Sequence, residues 1–233
     1  MKLQSNYIYF LLILSSFTFA SCSSPTESDA LNQSYDLDKT LETMAIEELS
    51  PAEEEGLLFL REEEKLARDV YITLYEKWEL TVFNNISKSE QKHTDAIKLL
   101  LDRYELDDPM MEDVIGIFKN EDLQNLYNSL VEKGNESIEE ALKVGGAIEE
   151  IDILDLELQI NEKVDNEDIK FVYSNLLRGS KNHIRAFVRN IENYGFTYEP
   201  QYMTPEAYQI IIESDMERGG RGKGKRRGRH GNG

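Results

Sequence analysis

From Ser50 to Asn193, large apolar side chains recur three and four residues apart, and no β-branched run alternates convincingly between polar and apolar. A stripe of that period covers one side of a helix, so the chain is read as all-α, with long amphipathic rods that must bury their stripes against one another. The first rod opens at Ser50, which can cap, with Pro51 at the first helical position and Glu53 closing a capping box. Its stripe runs Leu57, Leu60, Ala67, Tyr71, Leu74 and Trp78, and the one gap in it is filled by Glu64. A second rod, 85–104, carries Ile86, Ile97, Leu100 and Tyr104, and the positions that complete its stripe are Glu90 and His93. A third, 138–164, turns Ala141, Gly145, Ile148, Leu156 and Gln159 inward, with Glu149 and Asp152 on or beside that face. A fourth, 166–194, has Ile169, Tyr173, Leu176, Ser180, His183, Phe187 and Ile191 in register and Gly195 as its stop. The link at 105–136 is long enough to cross the length of a bundle and holds a short helix near 121–133, and a further short helix follows Thr204. The expected fold is a four-helix bundle with one long crossover connection containing short helices, plus a short C-terminal helix. No repeat of fixed period and no second domain is seen.

Each of the four stripes is interrupted near its middle by groups able to bind a metal: Glu64; Glu90 with His93; Glu149 with Asp152; and His183. Burying several unpaired carboxylates together is costly unless cations neutralise them. Glutamate and histidine at i and i+3 share one helical face and can chelate from a rigid scaffold. The candidate ligands are therefore Glu64, Glu90, His93, Glu149, Asp152 and His183. Glu63 competes with Glu64, and Glu150 with Glu149, because one residue of slip decides which faces inward. Tyr71 is either plain core or a hydrogen-bond partner of a ligand. Arg178 and Arg185, which flank His183, are read as surface ion pairs. No Ser-His-acid arrangement or phosphate-cradling glycine loop stands out, which leaves ordinary hydrolase chemistry without support.

Three blocks carry a resemblance. "EKLARDVY" at 64–71 is similar to the first-helix Glu-x-x-Ala-x-x-x-Tyr pattern of rubrerythrin-type ferritin-like proteins, and "SEQKH" at 89–93 to their second-helix Glu-x-x-His. Together, "LREEEKLARDVY", "EEIDILDLE" and "RGSKNHIRAF" resemble the uncharacterised ferritin-like family known as domain of unknown function 2202, over about residues 48–195. The resemblance implies a ferritin-like bundle with a metal centre and no particular reaction. The chain departs from the ferritin-like pattern on the fourth helix, where Glu-x-x-His becomes Ser180-x-x-His183. Asp152 could supply the missing carboxylate from the third helix; without it the centre would hold one metal or bind a second weakly. Iron is the expected cofactor, as a di-iron or mono-iron centre, with manganese or zinc as alternatives.

The ends differ in kind from the middle. Residues 1–21 have a basic start, an apolar run and small residues before Cys22, the pattern of a secretory signal peptide, and Phe19-Ala-Ser-Cys22 resembles a bacterial lipobox. Cys22 is the only cysteine, so it is read as a lipidation site; no internal disulfide, thiolate metal cage or attached rubredoxin-like iron–sulfur donor can form. Residues 22–47 are read as a flexible tether, 48–217 as the helical bundle, and the Gly/Arg/Lys-rich 218–233 as a disordered tail. That tail holds seven of the 26 basic residues, leaving the rest of the chain at a net charge near −26, which repels nucleic acid and attracts cations. The expected partners are a membrane, through the lipid anchor on the periplasmic or outer surface of a bacterial envelope, and an anionic polymer at the tail; a homodimer is also open. The function expected is a membrane-anchored, ferritin-like metal-binding protein with ferroxidase or peroxide-reducing activity. The alternative is a non-catalytic envelope lipoprotein whose bundle binds metal structurally or serves as an interaction module.

Overall fold

The structure is a computed structural model that describes residues 37–110 and 112–217. The expected signal peptide, Cys22, the start of the tether and the basic tail lie outside them. Among the described residues the architecture is helical throughout: α1 at 37–42, α2 at Pro51–Trp78, α3 at Thr81–Arg103, α4 at Glu121–Gly134, α5 at Ile138–Leu158, α6 at Glu167–Asn193 and α7 at Pro205–Glu213. No described helix is long and apolar enough to cross a membrane.

The start of α2 follows the sequence signal closely. Glu53 N–H donates to Ser50 Oγ at 3.2 Å and Ser50 N–H to Glu53 Oε2 at 2.9 Å, a complete capping box. The other oxygen of Glu53 accepts from the backbone N–H groups of Asp165 and Asn166 at 3.1 and 3.0 Å, so the cap also fastens α2 to the α5–α6 turn. Glu79, at φ 54°, reverses the chain into α3. α3 begins at Thr81, four residues before the expected start, and its Leu80 cap makes no side-chain hydrogen bond, so no capping residue marked the boundary. α5 gives way at its C-terminal end to a π-helical turn, Gln159–Lys163, closed by a 3.0 Å bond from Val164 N–H to Gln159 O. Gly195, at φ 81°, follows the end of α6.

α2 lies along α3 and α5 along α6, forming two hairpins, while α4 packs against α2 and α5. The buried side chains fall into two apolar clusters. One gathers Ala67, Tyr71 and Leu74 of α2, Phe83 and Ile86 of α3, Ala141 and Ile148 of α5, and Phe187 and Ile191 of α6. The other gathers Leu57 and Leu60 of α2, Ile97 and Leu100 of α3, Leu156 of α5, and Ile169, Tyr173 and Leu176 of α6. α3 and α5 therefore both run from the first cluster to the second, so the chain between them must span the bundle. Between the two clusters α2, α3 and α6 carry mainly polar residues, and α5 carries Glu149, Glu150 and Asp152 among apolar ones.

The connection is held down by buried charge on α2. Asp69 accepts from Lys65, from Arg68 and, at 2.9 Å, from Gly116 N–H. Glu62 accepts from Lys119 and Asn120 N–H, and Arg61 binds Asp108 and the Thr94 carbonyl. Two expectations differ here. The end of the stretch read as tether packs on the domain, with Leu41 buried and Arg103 bonded to the Met44 carbonyl. Arg185 is buried rather than a surface pair; it donates to Ile211 O and Ser214 Oγ and so pins α7 to α6, with Glu217 at its edge. Arg178 bonds to Asn175 rather than to an acid.

Candidate metal centre

The polar layer between the two clusters assembles from the positions that interrupt the stripes. Glu64, Glu90 and Glu149 are fully buried, Asp152 nearly so, and His93 and His183 show only an edge to solvent. Three side chains, Glu64, Glu90 and His93, offer ligand atoms within 4.8 Å of one another, and Glu90, Glu149 and His183 do the same; either group could hold a metal ion. Glu90 belongs to both.

Its two oxygens serve the two histidines separately. Glu90 Oε2 lies 2.7 Å from His93 Nδ1, and Glu90 Oε1 lies 2.7 Å from His183 Nδ1. Neither oxygen, nor His183 Nδ1, has a hydrogen-bond partner. Glu64 Oε2 stands 3.1 Å from His93 Nδ1 and Glu149 Oε2 stands 3.4 Å from His183 Nδ1. The imidazoles stack with centroids 5.4 Å apart and planes 26° apart. Buried acceptors crowded around nitrogen without hydrogen-bond geometry have either a shared proton or a cation to reconcile them.

The electrostatics follow from burial and proximity. Burial, with Glu90 beside it and only partly offset by His93, pushes Glu64 up to about 7. Burial also raises Glu149, against the pull of His183. Asp152 stands well above the usual carboxylate range through burial and the charges of Glu64, Glu149, Glu63 and Glu90. Glu90 goes the other way: burial opposes it, but His183 and His93 hold it ionised. His93 is raised well above its ordinary value and His183 to about 10, burial being outweighed by the facing carboxylates. Without a cation the layer thus stores protons on its imidazoles and outer carboxyls. A divalent pair would displace them: Glu64, Glu90, Glu149 and Asp152 bring four negative charges when ionised, and the O/N donor set is one that Fe(II), Mn(II) or Zn(II) accepts. The residues fit such a centre.

Three contacts orient the ligands. Tyr71 OH donates to Glu149 Oε1 at 2.6 Å. Ser89 Oγ lies 2.9 Å from His183 Nε2, so by accepting that N–H it would leave Nδ1 free to bind a cation once the Nδ1 proton is displaced. Gly179 clears space for His93: a Cβ there would sit 2.5 Å from Nε2. Ser89 and Gly179 carry no sequence signal beyond lying beside the Glu-x-x-His and Ser-x-x-His segments. Ser180 contributes no acid; its hydroxyl bonds back to Leu176 O.

The open choices separate cleanly. Glu64, not Glu63, stands in a His93 group, while Glu63 is buried against Asp155. Glu149, not Glu150, stands in the His183 group; Glu150 accepts from Tyr198 OH and from the backbone N–H groups of Gln201, Tyr202 and Met203, locking the C-terminal segment. Asp152 borders the centre but belongs to neither group.

The sequence matches a family described as an uncharacterized protein domain (DUF2202) over residues 53–215. It is 58% identical over 171 residues to the uncharacterized protein MJ0754 of Methanocaldococcus jannaschii, an alignment covering 73% of this chain and 92% of that protein. The crystal structure of hypothetical protein MJ0754 from Methanococcus jannaschii DSM 2661 is similar with a TM-score of 0.73 at 56% identity, over 75% of this chain and 99% of the other. With most of its bundle inside the matched region, the chain belongs to the DUF2202 family.

Proposed function

We propose that this protein is a ferritin-like iron-binding protein with a two-cation centre, acting on dioxygen or peroxide at the envelope surface. The observation that carries this reading is Glu90, whose two buried oxygens each approach one histidine Nδ1 at 2.7 Å without a hydrogen bond. Glu64, Glu90 and His93 would hold one cation and Glu90, Glu149 and His183 the other, with Glu90 common to both groups. Bound iron would supply one-electron chemistry with oxygen species. The chain's own part is to fix ligand geometry, to exclude bulk water with the flanking apolar clusters, and to hold Glu149 through Tyr71. Iron is preferred over manganese and zinc as the metal whose redox chemistry such a shielded O/N site would use. Lipidation at Cys22 and docking of the basic tail on an anionic polymer would keep the domain at the membrane.

The test is elemental analysis of protein purified without chelator or affinity-tag metal. Iron near two equivalents, lost in His93→Ala and His183→Ala variants that remain helical, supports the reading; metal-free wild type with full thermal stability overturns it. A purely structural metal is the second reading, favoured by the cost of burying the layer's carboxylates uncompensated. Ferrous oxidation no faster than in the His93→Ala variant would leave only that second role.

A further inference from the structure

A second set of carboxyls lies beside the centre, on the face between α2 and α5. Asp152 and Asp155, one turn apart on α5, meet Glu63 of α2, and the side chains grade from half-buried Asp155 to Glu63 at 4% and Asp152 at 2% exposure. Glu63 is within hydrogen-bond reach of Asp155, and the charges that weigh most on Asp152 are all negative, Glu64 first. Glu63 Oε2, Asp152 Oδ2 and Glu64 Oε1 are buried and have no hydrogen-bond partner. The cations of α2 nearest in sequence are engaged elsewhere, Lys65 with Asp69 and Arg61 with Asp108. Hydrogen bonding within an acidic cluster would not by itself suggest a ligand. Buried oxygens with nothing to accept from, arranged between solvent and a metal-binding group, do.

We propose that Glu63, Asp152 and Asp155 form a holding site that takes a divalent cation from solvent and passes it to Glu64 of the two-histidine centre. The inference rests on the metal-binding reading above and adds the route by which the ion arrives. Asp155 meets the hydrated ion, Glu63 and Asp152 replace part of its water shell with hard oxygen donors, and the free oxygen of Glu64 takes it over before the imidazoles engage. A channel lined by one sign of charge raises the capture rate of the opposite ion by about tenfold or more.

The experiment follows Co(II) uptake by its visible absorption after rapid mixing with metal-free full-length protein, comparing wild type, Asp155→Asn, Glu63→Gln and Asp155→Glu. The holding site predicts uptake slowed about tenfold or more in D155N and E63Q, an unchanged final Co(II) stoichiometry, and near-wild-type rates in the charge-preserving D155E. Should E63Q misfold, D155N at its half-buried position still decides the matter. Variants that load within about twofold of the wild-type rate overturn the holding site alone. Wild type that takes up no Co(II) overturns the centre itself, and the holding site with it.

Discussion

Tyr71 shows how one hydroxyl can matter to a site without touching the ion. Its ring packs against Phe83 and Phe187, with centroids 6.1 and 5.2 Å away, so Tyr71→Phe keeps the apolar contacts and removes the 2.6 Å bond to Glu149 together with a longer one, 3.3 Å, to the Gly145 carbonyl. The expected result is a fold of wild-type stability, to within about 1 kcal/mol. Affinity for a cation placed at Glu90, Glu149 and His183 should fall about 10–100-fold, read by titration calorimetry with Co(II). Gly179→Ala should act with opposite signs on fold and site. Alanine favours a helix interior by about 1 kcal/mol over glycine, but its Cβ would press on the His93 ring. A helix that melts no earlier, with weakened binding at the Glu64–Glu90–His93 group, is the expected outcome; unchanged binding would mean the ring moves freely. Glu63 against Glu64, and Glu149 against Glu150, could not be separated from the sequence, because all four are buried and each has a reason to be. What distinguishes them is partners far along the chain, His93 for Glu64 and the backbone at 201–203 for Glu150.

At the level of elements, the long helices were legible because their apolar period is strong and three of them start or stop at recognisable chemistry: Ser50, Ser137 and Gly195. The start of α3 was not, since Leu80 caps nothing, and neither was the role of the polar face of α2. Nothing in the sequence marks Arg61, Glu62, Arg68 and Asp69 as interior, yet all are buried beneath the connection that crosses the bundle. Asp69 is the acceptor shared by Lys65, Arg68 and Gly116 N–H. Asp69→Ala should therefore cost about 3–5 kcal/mol, the penalty for leaving buried cations without their partner. Chemical denaturation measures the loss, and amide exchange at Gly116 should speed up before exchange within α6 does. A loss under 1 kcal/mol would mean water replaces the carboxylate and the connection is not held there.

For the whole molecule, the layer couples stability to pH, and would couple it to any metal the layer binds. Glu64 has a folded value near 7, above its unfolded one, so its contribution is present below about 4.5 and disappears as pH rises through 7. His183, raised to about 10, contributes fully below about 6.5 and loses that contribution as pH climbs through 10. Both signs agree: metal-free protein should melt at progressively lower temperature between pH 6 and 9. Cations need those same groups deprotonated, so the gap in melting temperature between metal-loaded and metal-free protein should widen over that range. A constant gap would mean the ion binds elsewhere. The two hairpins also divide the ligands unequally. Glu64, Glu90 and His93 all come from α2 and α3, so the N-terminal hairpin owns a complete triad, whereas α5 and α6 bring only Glu149 and His183 and must borrow Glu90. An ion caught by the first hairpin would already hold Glu90 in place when the second hairpin docks, so one half of the molecule can act as the template on which the other half is completed.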